Sequence, residues 1–331
     1  MLFRVSYPKR FFDRYPQLHG DVLLFYQTLF AVIQASGARL QMFTDIKKLP
    51  PPPSKAETGA ITIGYHSRGR MAHTWHVKKA YRRGYFYVDR DGYSGWAEFA
   101  HSPALFDLAM QEDEAAALAF VKQWRSEYFD RGLSKLYQPE RHFQAMRPYI
   151  LLPLQMVDDE VVTQLSRVNY FDFARAVAAV LAGSRYDLVI KRHPRCLSQK
   201  VFCLMSELSH QPHVKITNTV IGTLLQQASG VVCINGGVGF EALFYGLPVI
   251  TAGASDYEWV TTPLRRLGQL NNLIDWVETP VDRSKIARFL KFFCCRYLIQ
   301  ASDSAALNQR LAQNNGRTVL LQTEMEFLLL K

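Results

Sequence analysis

The sequence lacks any long apolar run, since no stretch reaches the roughly 18 residues that a membrane-spanning helix needs. Its first residues, Met1-Leu2-Phe3-Arg4, do not lead into the apolar stretch and cleavage site of a signal peptide. These two absences predict a cytoplasmic protein. Cysteine is scarce as well, with five residues at positions 196, 203, 233, 294 and 295. Their number is odd and their spacing fits no zinc motif, so we expect reduced thiols.

Acidic residues are the scarcer charged class. The 29 Asp and Glu stand against 39 Lys and Arg, which gives a formal net charge of +10. This balance fits an anionic partner such as a nucleic acid, an anionic membrane surface or an acidic sugar, although many basic proteins have no such partner. The basic residues are scattered and no nucleic-acid-binding motif is present, so a nucleic-acid binder is the least favoured interpretation.

Short apolar runs alternate with helical patterns along most of the chain, and no internal repeat interrupts them. Strands are predicted over residues 39–43, 60–66, 149–154, 187–191, 214–216 and 231–234. Helices are predicted over residues 21–35, 112–129, 171–182, 199–210 and 221–228, and helical periodicity runs over 282–311. Strands that alternate with helices predict an α/β protein with a parallel, doubly wound sheet. With 331 residues there is room for two domains, and we place their boundary near residue 145.

A glycine-rich turn, Asn235-Gly236-Gly237-Val238-Gly239, lies between a predicted strand and a predicted helix over residues 240–245 that Gly246 ends. Backbone N–H groups at a helix N-terminus can bind phosphate, and glycines let a ligand approach the backbone. Glu241, in the first turn of this helix, can accept hydrogen bonds from ribose hydroxyls. The turn is neither the dinucleotide GxGxxG motif nor a P-loop. The alternative is an ordinary strand–helix connection, which can have the same glycine-rich composition without binding a ligand.

A basic segment, Lys191-Arg192-His193-Pro194, follows another predicted strand in the same half of the chain. Carboxyl ends of parallel strands meet at one edge of a sheet, so this segment and the glycine-rich turn can converge on one phosphate. An imidazole beside two cations would stabilise a phosphate leaving group. The alternative is a surface basic cluster without a ligand.

Two carboxylates, Asp89 and Asp91, lie in an aromatic and glycine-rich segment, residues 84–98. A carboxylate held against aromatic walls is common in sugar sites, whereas Asp91-Gly92 is also typical of an ordinary turn. Lys78 or Arg90 nearby can meet an anionic sugar. His66, His73 and His76 have no carboxylate at a matching spacing, so we expect no metal site.

These segments together resemble a known family, the retaining β-Kdo glycosyltransferases of bacterial capsule and lipopolysaccharide assembly. The likeness is carried by Gly-Gly-Val-Gly-Phe-Glu-Ala-Leu (236–243), Gly-Leu-Pro-Val-Ile (246–250) and the Lys-x-His-Pro pattern (191–194). Leu-Pro-Leu-Gln-Met-Val-Asp-Asp (152–159) and the acidic, aromatic segment 89–98 add to it. One departure is Gly236, because some relatives carry serine after the asparagine.

The resemblance implies a GT-B fold, with two Rossmann-like domains facing a central cleft. Residues 1–145 would form the acceptor-side domain, 146–285 the CMP-binding domain, and 286–331 C-terminal helices that can cross back to the first domain. It implies an enzyme that moves Kdo from CMP-β-Kdo to a membrane-linked glycan, with retention and without a metal or other cofactor. A cytoplasmic location at the inner face of the inner membrane follows, with peripheral membrane contact and no nucleic-acid partner.

The resemblance also assigns residues to roles. Asp91 is the expected nucleophile, with Asp89 as its rival, and His193 would stabilise the leaving phosphate. The expected nucleotide-binding residues are Gln155, Lys191, Asn235, Gly236, Gly237, Val238, Gly239 and Glu241. Two alternatives stay open at this point. One is a GT-B transferase that uses another nucleotide sugar, and the other is a non-catalytic polysaccharide assembly protein.

Overall fold

The computed structural model describes residues 1–9, 19–44, 49–129 and 143–312. The chain forms two compact units. Unit 1 combines Met1–Ala80, Gly84–Tyr93 and the described part of Leu298–Lys331, and unit 2 combines Tyr81–Arg83 with Ser94–Tyr297. Each unit contains its own six-stranded sheet.

The strands in chain order are β1 (Leu2–Tyr7), β2 (Arg39–Thr44), β3 (Ile61–Tyr65), β4 (Thr74–Lys79), β5 (Tyr85–Asp89), β6 (Tyr149–Pro153), β7 (Asp187–Lys191), β8 (Val214–Thr217), β9 (Gly230–Cys233), β10 (Val249–Thr251), β11 (Thr262–Pro263) and β12 (Ile299–Gln300). The described α-helices are α1 (Gly20–Ala35), α2 (Glu98–His101), α3 (Pro103–Met110), α4 (Glu114–Trp124), α5 (Glu160–Leu165), α6 (Tyr170–Leu181), α7 (Gln199–Ser209), α8 (Ile221–Gln227), α9 (Gly237–Leu243), α10 (Leu273–Glu278), α11 (Arg283–Phe292) and α12 (Ser304–Ala312).

The sheet of unit 1 has the strand order β12-β5-β4-β3-β1-β2. Strands β1 to β4 pair in parallel, whereas β5 runs antiparallel to β4 and β12 runs antiparallel to β5. Helix α1 presents apolar residues at helical spacing, and it buries Phe25, Tyr26 and Leu29 in the core. Phe25 stacks on Phe86 of β5, with 4.4 Å between the ring centroids. The core of unit 1 therefore joins the helix directly to the sheet.

The sheet of unit 2 is parallel throughout, in the order β11-β10-β9-β6-β7-β8. Its central strand β6 reads Tyr-Ile-Leu-Leu-Pro and is buried along its whole length, as expected for a strand covered on both faces. Asn169 caps the N-terminus of helix α6, and its side chain accepts hydrogen bonds from the backbone N–H groups of Phe171 and Asp172. This parallel sheet positions most of the predicted site residues.

Several predicted elements are confirmed to within one or two residues. The strand predicted over 187–191 is β7, and the helices predicted over 171–182 and 199–210 are α6 and α7. The helix predicted to end at Gly246 ends at Leu243, and Gly246 lies in the turn that follows, with a φ of +64° in the left-handed region that favours glycine. These agreements come from strong local patterns, because a continuous apolar run or a clear helical period leaves few alternatives.

The long helical prediction over 112–129 is confirmed to within two residues: Asp113 caps α4, and a π-helical turn at Arg125–Phe129 continues it. The second long helical prediction is wrong in its extent. The pattern over 282–311 breaks into α11, a π-helical turn, β12 and α12. Ile299 and Gln300 pair with Phe86 and Tyr85 of β5. Backbone pairing with this strand overrides the local helical period.

The compact units differ from the predicted division at residue 145. Helices α2 to α4 precede that residue but belong to unit 2, where α4 packs against α11. Strand β12 and helix α12 belong to unit 1. Residues 130–142, just before the predicted boundary, lie outside the described residues, as does everything after residue 312. Within the described ranges, no helix is both long enough and apolar enough to cross a membrane.

Candidate functional site

Three neighbouring strands of unit 2 end at the same edge of its sheet. β9, β6 and β7 lie side by side in parallel. They lead into the glycine-rich turn, into Gln155 and into the Lys191–His193 segment, respectively. Ligands of parallel sheets bind beyond such carboxyl ends. The structure therefore brings the two predicted phosphate-binding segments to one edge, and it adds the end of β6, which lies between them.

Gln155 and Asn235 form a reciprocal hydrogen-bonded pair. The Gln155 amide donates to Asn235 Oδ1 at 3.0 Å, and its oxygen accepts from the Asn235 backbone N–H at 3.1 Å. Asn235 Nδ2 donates to the carbonyl oxygens of Val161 and Ala254. Asn235 is only 1% exposed, and its amide is used within the protein. Its side chain therefore fixes the turn, and the expectation that Asn235 binds the nucleotide stays a prediction.

The three glycines of the turn are needed for different reasons. A Cβ atom at Gly236 would lie 2.9 Å from Gln155 Cδ, and one at Gly239 would lie 2.7 Å from Tyr257 Oη and 2.8 Å from Cys233 Sγ. A Cβ atom at Gly237 would meet only Tyr81 Cδ1, at an ordinary 3.5 Å. Packing inside the protein thus explains Gly236 and Gly239. Of the three, Gly237 has room for a ligand.

The prediction that Glu241 lies in the first turn of a helix is wrong. Helix α9 begins at Gly237, three residues before the predicted start, so Glu241 follows its first turn. Glycines disfavour helix in sequence-based reasoning, yet here their backbone is already helical. Glu241 is buried, with 6% of its surface exposed, and its contact with a ribose hydroxyl stays a prediction.

Lys191 is a buried cation at the end of β7. It is 6% exposed, and its Nζ donates a hydrogen bond to the carbonyl oxygen of Asn218 at 3.4 Å. Burial, followed by the charge of Arg192, lowers the pKa of Lys191 to about 8. An incoming anion would compensate for this desolvation, which makes Lys191 a suitable phosphate contact.

Arg192 and His193 play different parts in the segment that follows. The Arg192 guanidinium donates to the carbonyl oxygen of Cys196 and lies 4.9 Å from the centroid of the Phe202 ring. It therefore holds the segment in place. His193 Nδ1 accepts a hydrogen bond from the backbone N–H of Arg195 at 3.2 Å. The neutral ring then carries its proton on Nε2, which makes that atom a hydrogen-bond donor.

Tyr81 and Asp256 border the turn and were missed from the sequence. The Tyr81 ring stacks on Phe240 of α9 with 4.5 Å between centroids, and its hydroxyl donates to Asp256 Oδ1 at 2.7 Å. Asp256 is fully buried. The two residues lie 175 positions apart in the chain, so no local pattern connects them. Tyr257 adds a hydrogen bond from its hydroxyl to the carbonyl oxygen of Gly236 at 2.8 Å.

The two candidate carboxylates of unit 1 differ in burial and in the groups they contact. Asp89 is 3% exposed, and its Oδ1 accepts hydrogen bonds from the backbone N–H groups of Asp91 and Gly92, each at 2.7 Å. Asp89 therefore organises the turn. The Asp91 side chain is 24% exposed and forms an ion pair with Arg70, whose Nε lies 2.8 Å from Oδ1. Of the two, Asp91 is the carboxylate that a substrate can reach.

Cations and aromatic rings surround these carboxylates in unit 1. Lys78 Nζ lies 3.9 Å from the centroid of the Tyr93 ring and 2.6 Å from His66 Nε2. The Arg90 guanidinium lies 3.7 Å from the centroid of the Trp75 ring. Cation–π contacts of this kind fix the direction of a charged side chain. In the ranges that the structure describes, no group of three or more His, Cys, Asp and Glu side chains is arranged to hold a metal ion.

Comparisons with known proteins agree with this architecture. Residues 107–262 match the model of a family described as "Capsule polysaccharide biosynthesis protein". A segment of 162 residues is 33% identical to Protein FixF of Sinorhizobium fredii, covering 46% of this chain and 39% of that protein. The chain therefore spans well under half the length of this curated relative.

Two solved structures share the fold across most of the chain. They are the beta Kdo 2,7 transferase and the beta Kdo 2,4 transferase of Thermosulfurimonas dismutans KpsC. The first has a TM-score of 0.54 and 12% identity, and the match covers 93% of this chain and 98% of that one. The second has a TM-score of 0.51 and 15% identity, with coverage of 93% and 97%. The predicted α/β fold of the GT-B type is confirmed.

Proposed function

We propose that this chain, whose residues 107–262 match the model of the capsule polysaccharide biosynthesis family, is a glycosyltransferase that moves Kdo from CMP-β-Kdo to a glycan acceptor with retention. The observation that carries the proposal is the shared sheet edge of unit 2, where Lys191 and His193 at the end of β7 and the turn at Gly237 after β9 flank the end of β6. The fold shared with the two KpsC transferases supports it.

Unit 2 would bind CMP and stabilise it as a leaving group. Lys191 carries its charge at neutral pH, since its pKa of about 8 lies above 7. His193 would donate from Nε2, and the backbone N–H groups of Gly237 and Val238 have no partner within the helix they open. Fixed donors of this kind stabilise charge that develops on a phosphate oxygen.

Asp91 would act as the nucleophile, because it is the reachable carboxylate of the pair. An Asp91 oxygen attacks the anomeric carbon of Kdo, and the bond from that carbon to the phosphate oxygen breaks with its electron pair going to CMP. The acceptor hydroxyl then attacks the same carbon, loses its proton to solvent and releases Asp91 as a carboxylate. Two inversions give net retention.

The acceptor would be a membrane-linked glycan, and the reaction would take place in the cytoplasm at the inner face of the membrane. The formal net charge of +10 suits an anionic surface. Kdo bears its own carboxylate, so the cations of unit 1, Lys78 and Arg90 among them, would attract the donor sugar.

Intact-protein mass spectrometry after incubation with CMP-Kdo and no acceptor tests the proposal. We expect wild type to gain the mass of one Kdo and Asp91→Asn to gain none. Asp89→Asn is the matched control, because its amide oxygen can still accept the two backbone N–H groups. It should form the adduct.

Other outcomes point to other functions. An adduct lost only in Asp89→Asn would reverse the nucleophile assignment. CMP release that needs acceptor and leaves no adduct would keep the transferase and remove the covalent step. If neither CMP binding nor adduct is observed, the Kdo donor is wrong, and another nucleotide sugar or a non-catalytic assembly role takes its place.

A further inference from the structure

The segment between β3 and β4 runs back along the sheet of unit 1, because the two strands are parallel and only residues 66–73 connect them. We call this segment the crossover loop. Two of its non-glycine residues, His66 and His73, have φ values of +56° and +52°, a conformation that costs backbone energy and persists only when other contacts enforce it.

His76 enforces the loop conformation from within β4. It is fully buried, and both ring nitrogens are engaged: Nε2 lies 2.8 Å from the carbonyl oxygen of Gly69, and Nδ1 lies 2.7 Å from Ser67 Oγ. A carbonyl can only accept, so Nε2 carries the proton and Nδ1 accepts from the Ser67 hydroxyl. One histidine thus ties two loop residues to the sheet. Burial lowers the pKa of His76, which favours this neutral form.

The crossover loop in turn contacts the segment that holds Asp91. The backbone N–H of Gly69 donates to the carbonyl oxygen of Asp91 at 2.7 Å. The next residue, Arg70, places Nε 2.8 Å from Asp91 Oδ1. That oxygen is buried and accepts no hydrogen bond among the described residues, so Arg70 holds it by charge, and an electrophile would reach Oδ2 instead. Oδ1 therefore holds the carboxylate in place, and Oδ2 is the oxygen available to a substrate.

We propose that His76 and Arg70 are positioning residues, which together fix the position of the Asp91 carboxylate through the crossover loop. This inference rests on the proposed role of Asp91 as nucleophile. His76 acts through Gly69, which it holds against Asp91, and Arg70 acts on Asp91 directly. Neither residue needs to touch CMP, because the expected CMP-binding residues belong to unit 2.

Substitution of Arg70 tests the positioning role with little expected effect on folding. The Arg70 side chain is 65% exposed, and exposed ion pairs add little to stability, so Arg70→Gln should fold as well as wild type. We expect adduct formation from CMP-Kdo to slow by about tenfold or more, since small misplacements of a reacting group are costly. Arg70→Lys should restore part of the rate. The affinity for CMP, measured by calorimetry, should not change.

His76 offers a matched pair of variants. In His76→Gln, the amide nitrogen lies near the position of Nε2 and keeps the hydrogen bond to the carbonyl oxygen of Gly69. In His76→Asn, the shorter side chain keeps only the hydrogen bond with Ser67 Oγ. We therefore expect His76→Asn to slow adduct formation by about tenfold or more and His76→Gln to slow it less. His73→Asn, on the same loop, should match wild type because His73 is exposed and Asn tolerates a positive φ.

Hydrogen exchange of the ligand-free protein separates this inference from the proposed function. Peptides from the crossover loop should exchange faster in His76→Asn than in His76→Gln or wild type. Equal exchange, or adduct formation at the wild-type rate in both Arg70→Gln and His76→Asn, would overturn the inference. A parallel loss of CMP affinity would also overturn it, since that would indicate general destabilisation. Failure of wild type itself to form an adduct counts against the proposed function alone.

Discussion

Lys191 is a buried lysine whose ammonium group donates a hydrogen bond to the carbonyl oxygen of Asn218. Its pKa in the folded protein, about 8, lies below the ordinary value of 10.5. Between these two values the unfolded chain binds more protons at this residue than the folded chain does. Stability therefore rises with pH across that window, and below it the folded protein carries the full cost of a buried charge.

The same shift predicts how CMP affinity depends on pH. As pH rises through about 8, Lys191 loses its charge and wild type should bind CMP more weakly. Titration calorimetry from pH 7 to 9 measures this directly. Lys191→Met should bind CMP ten- to a hundredfold more weakly at pH 7, because a hydrogen bond to a charged group usually contributes about 1.5–3 kcal/mol. Its affinity should lack the fall near pH 8.

Lys191→Arg is the control for charge, because arginine stays protonated throughout this range. It should remove the pH dependence while retaining more affinity than Lys191→Met. If wild type and Lys191→Met change in parallel with pH, Lys191 does not contact the phosphate.

Asp89 and Asp91 illustrate what residue-level reasoning from sequence can reach. Two carboxylates in one aromatic, glycine-rich segment predict a site but cannot be ranked by composition. Burial ranks them, since Asp89 is enclosed by backbone N–H groups and Asp91 is reachable. Which N–H groups turn toward a carboxylate depends on the turn after β5, and that is a property of the folded backbone.

At the scale of elements, the start of α9 yields a matched pair of glycine substitutions. In Gly239→Ala the new methyl group would lie under 3 Å from Tyr257 Oη and Cys233 Sγ, both buried. We expect a loss of about 1–3 kcal/mol of unfolding free energy, as is usual for overpacking. In Gly237→Ala the methyl meets only Tyr81 at 3.5 Å, so stability should stay within about 1 kcal/mol of wild type.

The CMP affinities of the pair distinguish packing from binding. Gly237→Ala should weaken CMP binding, because the methyl occupies space beside the N–H groups that would face the phosphate. Denaturant unfolding and calorimetry on both variants provide the measurements. A Gly239→Ala protein as stable as wild type would contradict the packing explanation for that glycine.

Element boundaries show where local patterns fail. The strand and helix of the glycine-rich segment are predictable, but the helix begins three residues earlier than its composition suggests, which moves Glu241 out of the first turn. Helical periodicity over 282–311 likewise hides β12. In both cases tertiary contacts determine the backbone conformation. Tyr257 and Gln155 form hydrogen bonds with the turn, and β5 pairs with β12.

At the scale of the molecule, unit 1 draws on residues from near both ends of the described chain. Leu307 and Leu311 of α12 lie in the same buried cluster as Phe3 and Val5 of β1. Leu307→Ala should therefore destabilise unit 1 by about 2–5 kcal/mol, the usual cost of a cavity in a core. The neighbouring Asn308→Ala, at an exposed position, should change stability by no more than about 0.5 kcal/mol.

Hydrogen exchange resolved by peptide can assign this loss to unit 1. Peptides from β1 and β5 should lose protection in Leu307→Ala, whereas those from β6 and β7 should keep it. Equal loss in both sheets would mean that the two units unfold as a single cooperative body.

By itself, the sequence determined the α/β class, the parallel strands, the glycine-rich turn and the basic segment, because each is encoded within a few consecutive residues. It also carried the resemblance to a known family, since the motifs are local. Only the tertiary structure decided the pairing of Gln155 with Asn235, of Tyr81 with Asp256, and the contacts of the crossover loop with Asp91. These contacts join segments distant in the chain, and their partners are fixed by strand order and side-chain packing, which no local pattern records.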